Sequence, residues 1–148
     1  MKIIFIGDIV GKSGREAISK KISVIKETYN PDVIVANAEN AASGYGLTKK
    51  ISLELFSLGV DAITLGNHAW DQREMLSYIE ECPKIIRALN YPPGVPGRGY
   101  YKLVLEDGRS LNVIQVMLRL FMSISLDDPF NAIQEILKSE FLGSTSNA

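Results

Sequence analysis

The feature that most restricts what this chain can fold into is a rhythm. Three short apolar runs, at residues 3–6, 33–36 and 62–65, recur at roughly the 30-residue length of one strand–helix–strand unit. Stretches of helical period lie between them, and that alternation predicts an α/β fold with a parallel, right-handed sheet. Each run stops at residue types that bind metals: Gly7-Asp8, Asn37-Ala38-Glu39-Asn40 and Gly66-Asn67-His68. Ligands of open α/β sheets sit outside the carboxyl ends of the strands. If the runs are neighbours, Asp8, Glu39, Asn67 and His68 converge on one crevice. Two carboxylates, an amide and an imidazole suit a hard or borderline divalent metal and a phosphate-type substrate.

The elements follow from local signals. Residues 2–6 read as a strand buried on both faces, because β-branched and aromatic residues run there without alternation. Ser13 is the expected N-cap of a helix over about residues 14–28, ended by Asn30-Pro31. Thr48 caps a second helix with Ile51, Leu55 and Leu58 on one face and Gly59 after its end. Asp71 is expected to open a third, with Glu74 in the capping-box position. Residues 90–99, rich in proline and glycine from Pro92-Pro93-Gly94 onward, form a rigid loop. Residues 100–105 and 111–117 flank Asp107-Gly108 as a hairpin. Asp127 or Asp128 caps a last helix that begins with Pro129 and runs to Leu142, and residues 144–148 are expected to fray.

Bulk properties narrow the function classes. At 148 residues the chain is expected to form one domain, 1–148, able to bury a core. A net charge of −1 gives no electrostatic case for nucleic acid or an anionic membrane. Lys20-Lys21 and Lys49-Lys50 read as solvated helix faces. Cys82 is the only cysteine, so no internal disulfide can form, which fits the cytoplasm. The amino-terminal apolar run is too short for a signal peptide or a membrane span, and a soluble, cytoplasmic protein is expected.

Glu39 lies just past a buried strand, where a carboxylate costs several kcal/mol to desolvate unless paired. No lysine or arginine follows until Lys49, so a metal is the credible partner. Gly7-Asp8-Ile9-Val10-Gly11-Lys12-Ser13 approaches a phosphate-cradling P-loop. The glycine required before Gly11 falls at Ile6, and Asp8 would put negative charge where phosphates lie. Lys12 and Arg15 read instead as solvent or substrate contacts.

These blocks carry a resemblance. Gly7-Asp8-Ile9-Val10-Gly11, Asn37-Ala38-Glu39-Asn40-Ala41-Ala42 with Gly46-Leu47-Thr48, residues 61–68 with Trp70-Asp71, and Leu126-Asp127-Asp128-Pro129-Phe130 are similar to the YmdB-type bacterial metallophosphoesterases. The resemblance implies a calcineurin-like phosphoesterase fold: the parallel βαβαβα part, then a hairpin and a helix. It also implies two divalent metal ions (Fe, Mn, Mg or Zn) and hydrolysis of cyclic nucleotides of the 2′,3′-cyclic AMP type. On it Asp8 binds one metal, Glu39 bridges, Asn67 binds the second, Asn40 lies beside the bridge and His68 faces the scissile phosphate. Family members are longer and carry further histidines in a G-T-H-T-H block, whereas this chain has no histidine after His68. Their Q-G-R segment reads here Met117-Leu118-Arg119, and Ser123-Ile124-Ser125 replaces a proline-rich stretch. The chain is therefore expected to correspond to the amino-terminal half of such an enzyme, incomplete at its carboxyl terminus. With only Asp8, Glu39, Asn40 and Asn67 supplied, its ligands are mostly hard oxygens, which favours loosely held Mn²⁺ or Mg²⁺ over tightly held Fe or Zn.

The expected partner is a small phosphodiester. The alternative is a non-catalytic remnant that binds metal or nucleotide weakly, or only mediates assembly. Residues 111–122 are so apolar that a strand buried on both faces is expected there. If uncovered, it would favour self-association.

Overall fold

A computed structural model describes residues 1–139. Strand β1 (Ile3–Ile6) leads into helix α1 (Gly11–Tyr29), then β2 (Val33–Asn37), α2 (Lys49–Ser57), β3 (Ala62–Thr64), α3 (Met75–Glu81) and β4 (Ile85–Ile86). The hairpin β5 (Tyr100–Val104) and β6 (Ser110–Ile114) follows, then α4 (Pro129–Ser139). The four early strands form one parallel sheet in the order β1-β2-β3-β4, and β5 and β6 pair antiparallel apart from it. Ile6 pairs with Ala36 and Asn37 with Thr64, so the strands end on one edge nearly in step.

Side-chain alternation divides the core. Ile34, Ala36, Ile63 and Ile85 face the layer that includes Ile22, Leu55 and Ile79 of the three helices. Val33, Val35, Ala62 and Ile86 face Leu103, Leu111 and Val113 of the hairpin. A sheet covered on both faces needs near-continuous apolar strands, which is why β2 and β3 are conspicuous in the sequence. Gly59, at φ +92°, follows α2 as expected, and the Thr48 hydroxyl accepts the Ile51 N–H. Asn30 ends α1 in the left-handed region, donating its N–H to Lys26 O. Asp128 Oδ1 accepts the N–H groups of Phe130 and Asn131, fixing it rather than Asp127 as the cap of α4. The expected end of that helix at Leu142 lies outside the described residues.

Several expectations are corrected. Among the described residues β1 is an edge strand: Phe5 is 59% exposed and Ile3 projects from the same face. An uninterrupted apolar run therefore did not mean burial on both sides. Helix α1 starts at Gly11 after Val10, which makes no side-chain cap, so Ser13 lies inside its first turn. Asp71 does not open α3, which begins at Met75 with Glu74 as its cap residue and no side-chain capping bond. Glu74 Oε1 instead accepts the Lys49 N–H at the start of α2. Strand β6 stops at Ile114, and residues 115–120 are irregular, with Leu118 and Leu120 exposed. The two-residue strand β4 gave no sequence signal of its own.

Asn90 anchors the segment that replaces the expected strand. Its side chain is buried, donating to Met117 O and Asp127 O and accepting the Met117 N–H. One amide thus holds both ends of the 117–127 loop.

Candidate active site

The loops leaving β1, β2 and β3 are stitched together by backbone hydrogen bonds beyond the strands themselves. Ile9 donates to Asn37 O, Gly11 to Asn40 O and Ala38 to Thr64 O. This continuation brings the sequence-predicted residues to one rim. Asp8 lies two residues past β1, Glu39 two past β2, and Asn67 and His68 follow β3.

Asn40 Nδ2 donates to Asp8 Oδ1 at 2.8 Å. That bond uses one of the two Nδ2 donors of Asn40, and its Oδ1 is an acceptor. Glu39 lies across the Gly66 backbone. A Cβ on Gly66 would stand 2.2 Å from Glu39 Oε2 and 2.9 Å from Oε1. The glycine is therefore required by the carboxylate packed on it, not by its own backbone angles. Oε2 of Glu39 is buried and has no hydrogen-bond partner, as is Oδ1 of Asn37.

An ionised oxygen in that state is expensive unless a cation meets it. A metal ion would answer the need, and the candidate donors, two carboxylates and two amides, are hard oxygen ligands of the kind Mg²⁺ and Mn²⁺ take. Among the described residues, no group of three or more His, Cys, Asp or Glu side chains is disposed to hold a metal. The fit is thus to a loosely held hard ion.

His68 is fixed by two contacts. Its Nδ1 lies 2.6 Å from Asp71 Oδ2, and its ring meets Tyr45 edge-on at 5.8 Å. With Nδ1 engaged by Asp71, Nε2 is the ring position left for chemistry. The Tyr45 loop is held over this turn by Gln72 Nε2, which donates to Tyr45 O. Gly46, at φ +79°, also packs there, where a Cβ would meet His68 O at 3.1 Å.

Beneath the rim, the Tyr91 hydroxyl faces Gly66 O at 3.5 Å and its ring packs on Trp70. Burial, and next the charge of Glu39, push the Tyr91 phenol upward, so it stays a neutral donor under the acidic rim. Sequence reasoning missed Asp71 as the partner of His68, and Gly66 and Tyr91 as the seat of Glu39. The His68-x-x-Asp71 spacing was the one available signal. Nothing local marks Tyr91, which reaches the rim only through the fold.

The model of the YmdB-like protein family matches residues 4–146. The chain belongs to this family. A 2′,3′-cyclic-nucleotide 2′-phosphodiesterase of Bacillus subtilis strain 168 is 42% identical over 137 residues, covering 93% of this chain and 51% of that protein. A crystal structure of a hypothetical protein from Thermus thermophilus superposes with a TM-score of 0.87 at 42% identity, covering 95% of this chain and 54% of the other. A crystal structure of a phosphatase from Mycoplasma pneumoniae gives 0.87 at 27% identity, covering 95% and 52%. This YmdB-like chain thus spans about half the length of these relatives. Over that half, the α/β fold expected from the resemblance is the one observed.

Proposed function

We propose that this YmdB-like chain serves metal-dependent hydrolysis of a phosphodiester of the 2′,3′-cyclic-nucleotide type. Asp8, Glu39, Asn40 and Asn67 would hold divalent metal, and His68 would face the phosphate. The observation that carries the reading is the buried, unpartnered Oε2 of Glu39 at the junction of three strand ends. The similarity to a 2′,3′-cyclic-nucleotide 2′-phosphodiesterase supports the substrate class.

When bound, a pair of divalent ions supplies Lewis acidity toward the phosphoryl oxygens and lowers the pKa of the attacking water. In the reaction, water oxygen bonds to phosphorus while giving up one proton to solvent, and the P–O2′ bond breaks, its electron pair leaving with O2′. That oxygen must gain a proton. His68, oriented through Nδ1 by Asp71, can deliver one from Nε2. Help of this kind is typically worth about 10²–10⁴-fold. Asn40, bonded to Asp8, would keep that carboxylate oriented.

A second reading, weak binding of metal or nucleotide without turnover, is favoured by the small number of carboxylate and imidazole donors among the described residues. The test is product formation from 2′,3′-cyclic AMP with millimolar Mn²⁺. Slow, Mn²⁺-dependent release of 3′-AMP, reduced at least about tenfold in His68→Ala, supports catalysis. Saturable Mn²⁺ binding with no release above the His68→Ala background supports the second reading.

A further inference from the structure

Beside His68 opens a cleft of about 350 Å³, most of whose lining the proposed phosphate chemistry does not use. Its wall includes Asn67, His68 and Asp71, and its rim carries Tyr45, Phe121 and Met122. The volume lies near the low end of small-molecule sites, roughly 300–1,000 Å³.

Two aromatic residues stand out on the rim, one of them in a strained conformation. Phe121 is 97% exposed and sits at φ +61°, a left-handed conformation that bulky residues rarely adopt. Tyr45, 64% exposed, is the other aromatic, already touching the His68 ring edge-on. Asn90 ties both ends of the segment bearing Phe121, and Gln72 holds the Tyr45 backbone. Strained, exposed side chains held by an over-determined frame cluster at ligand sites.

We infer that this cleft is a nucleobase subsite, in which Tyr45 and Phe121 offer aromatic faces to the base of a nucleotide whose phosphate lies at His68. The inference rests on the phosphodiesterase reading and adds to it the recognition of a base. Continuity decides between a base and another apolar occupant: Asn67 and His68 line the cleft and also belong to the proposed phosphate site. A ligand with a phosphate at His68 would carry its remaining bulk into this space. Stacking accepts any base, because every base has a π-face, so a preference for nucleotides over sugar phosphates is expected with little discrimination among bases.

The experiment compares 3′-AMP, ribose 5-phosphate and inorganic phosphate by calorimetric titration of the full chain in Mn²⁺. Wild type, Tyr45→Ala, Phe121→Ala and Phe121→Trp are measured, with Phe130→Ala as an exposed phenylalanine that does not line the cleft. The inference expects 3′-AMP to bind more tightly than ribose 5-phosphate by about five- to hundredfold, the range that stacking supports. Phe121→Ala or Tyr45→Ala should shrink that ratio, Phe121→Trp should retain it, and Phe130→Ala should leave it unchanged. Equal binding of 3′-AMP and ribose 5-phosphate by wild type overturns the subsite and leaves the phosphodiesterase reading standing. Absence of Mn²⁺-dependent binding of all three ligands overturns both. If Phe121→Ala weakens self-association in sedimentation but keeps the 3′-AMP preference, the ring serves contact between copies and the subsite is overturned.

Discussion

At the scale of single residues, the site turns on how Glu39 is seated. Gly66 admits the carboxylate only because it lacks a Cβ, and an alanine there would place carbon 2.2 Å from Oε2. Gly66→Ala is therefore expected to displace Glu39 and weaken Mn²⁺ binding by about 10–100-fold, the usual effect of disturbing groups that orient metal ligands. Paramagnetic resonance of free Mn²⁺ measures this, and circular dichroism checks that the fold persists. Unchanged affinity would mean that Glu39 does not hold the ion. The positions of Asp8, Glu39, Asn67 and His68 just past strand ends were legible in the sequence because each follows an apolar run. Gly66 looked like a turn glycine and Tyr91 like part of a proline-rich loop. Their roles arise from contacts across 25 or more residues, which no local spacing encodes.

At the scale of elements, the hairpin β5–β6 covers one face of the parallel sheet and is fastened at its turn. Arg109 pairs with Asp32, just before β2, and with Asp107. The Arg109 hydrogen bond, followed by the Lys2 backbone N–H, holds the Asp32 carboxyl down to about 2 from its usual 3.8. A carboxylate depressed in the folded state stabilises the fold above its unfolded pKa, and that contribution disappears as pH falls through the folded value. The hairpin should accordingly loosen as pH drops from about 4 toward about 2. Amide chemical shifts of β5 and β6 should report the change, and Arg109→Ala should remove this pH-dependent component. Shifts that titrate identically in the variant would contradict the link. Helix positions were legible from caps such as Thr48 and from Gly59, whose roles are set within a few residues. The capping reading failed at Glu74, because its carboxylate found the start of another helix. The strand reading failed at residues 115–120, because Asn90 holds the backbone out of a strand.

At the scale of the whole molecule, one edge of the sheet gathers the proposed chemistry while another leaves apolar surface open. β1 has β2 on one side and no strand on the other among the described residues, and Ile3 and Phe5 are exposed along it. A free, apolar strand edge is a template for pairing, so concentration-dependent self-association is expected in sedimentation at micromolar concentration. A lysine at Phe5 should reduce it, and a monodisperse monomer in the wild type would show that this edge does not recruit partners. A metal site formed jointly by three strand ends requires the Glu39 carboxylate, so Mn²⁺ titration of wild type against Glu39→Gln decides whether such a site exists. Glutamine keeps the size of the side chain and removes its charge. Saturable Mn²⁺ binding by wild type, and an affinity lower by about tenfold or more in Glu39→Gln, are expected. Equal affinity in the two proteins, or no saturable binding in wild type, would contradict the metal site.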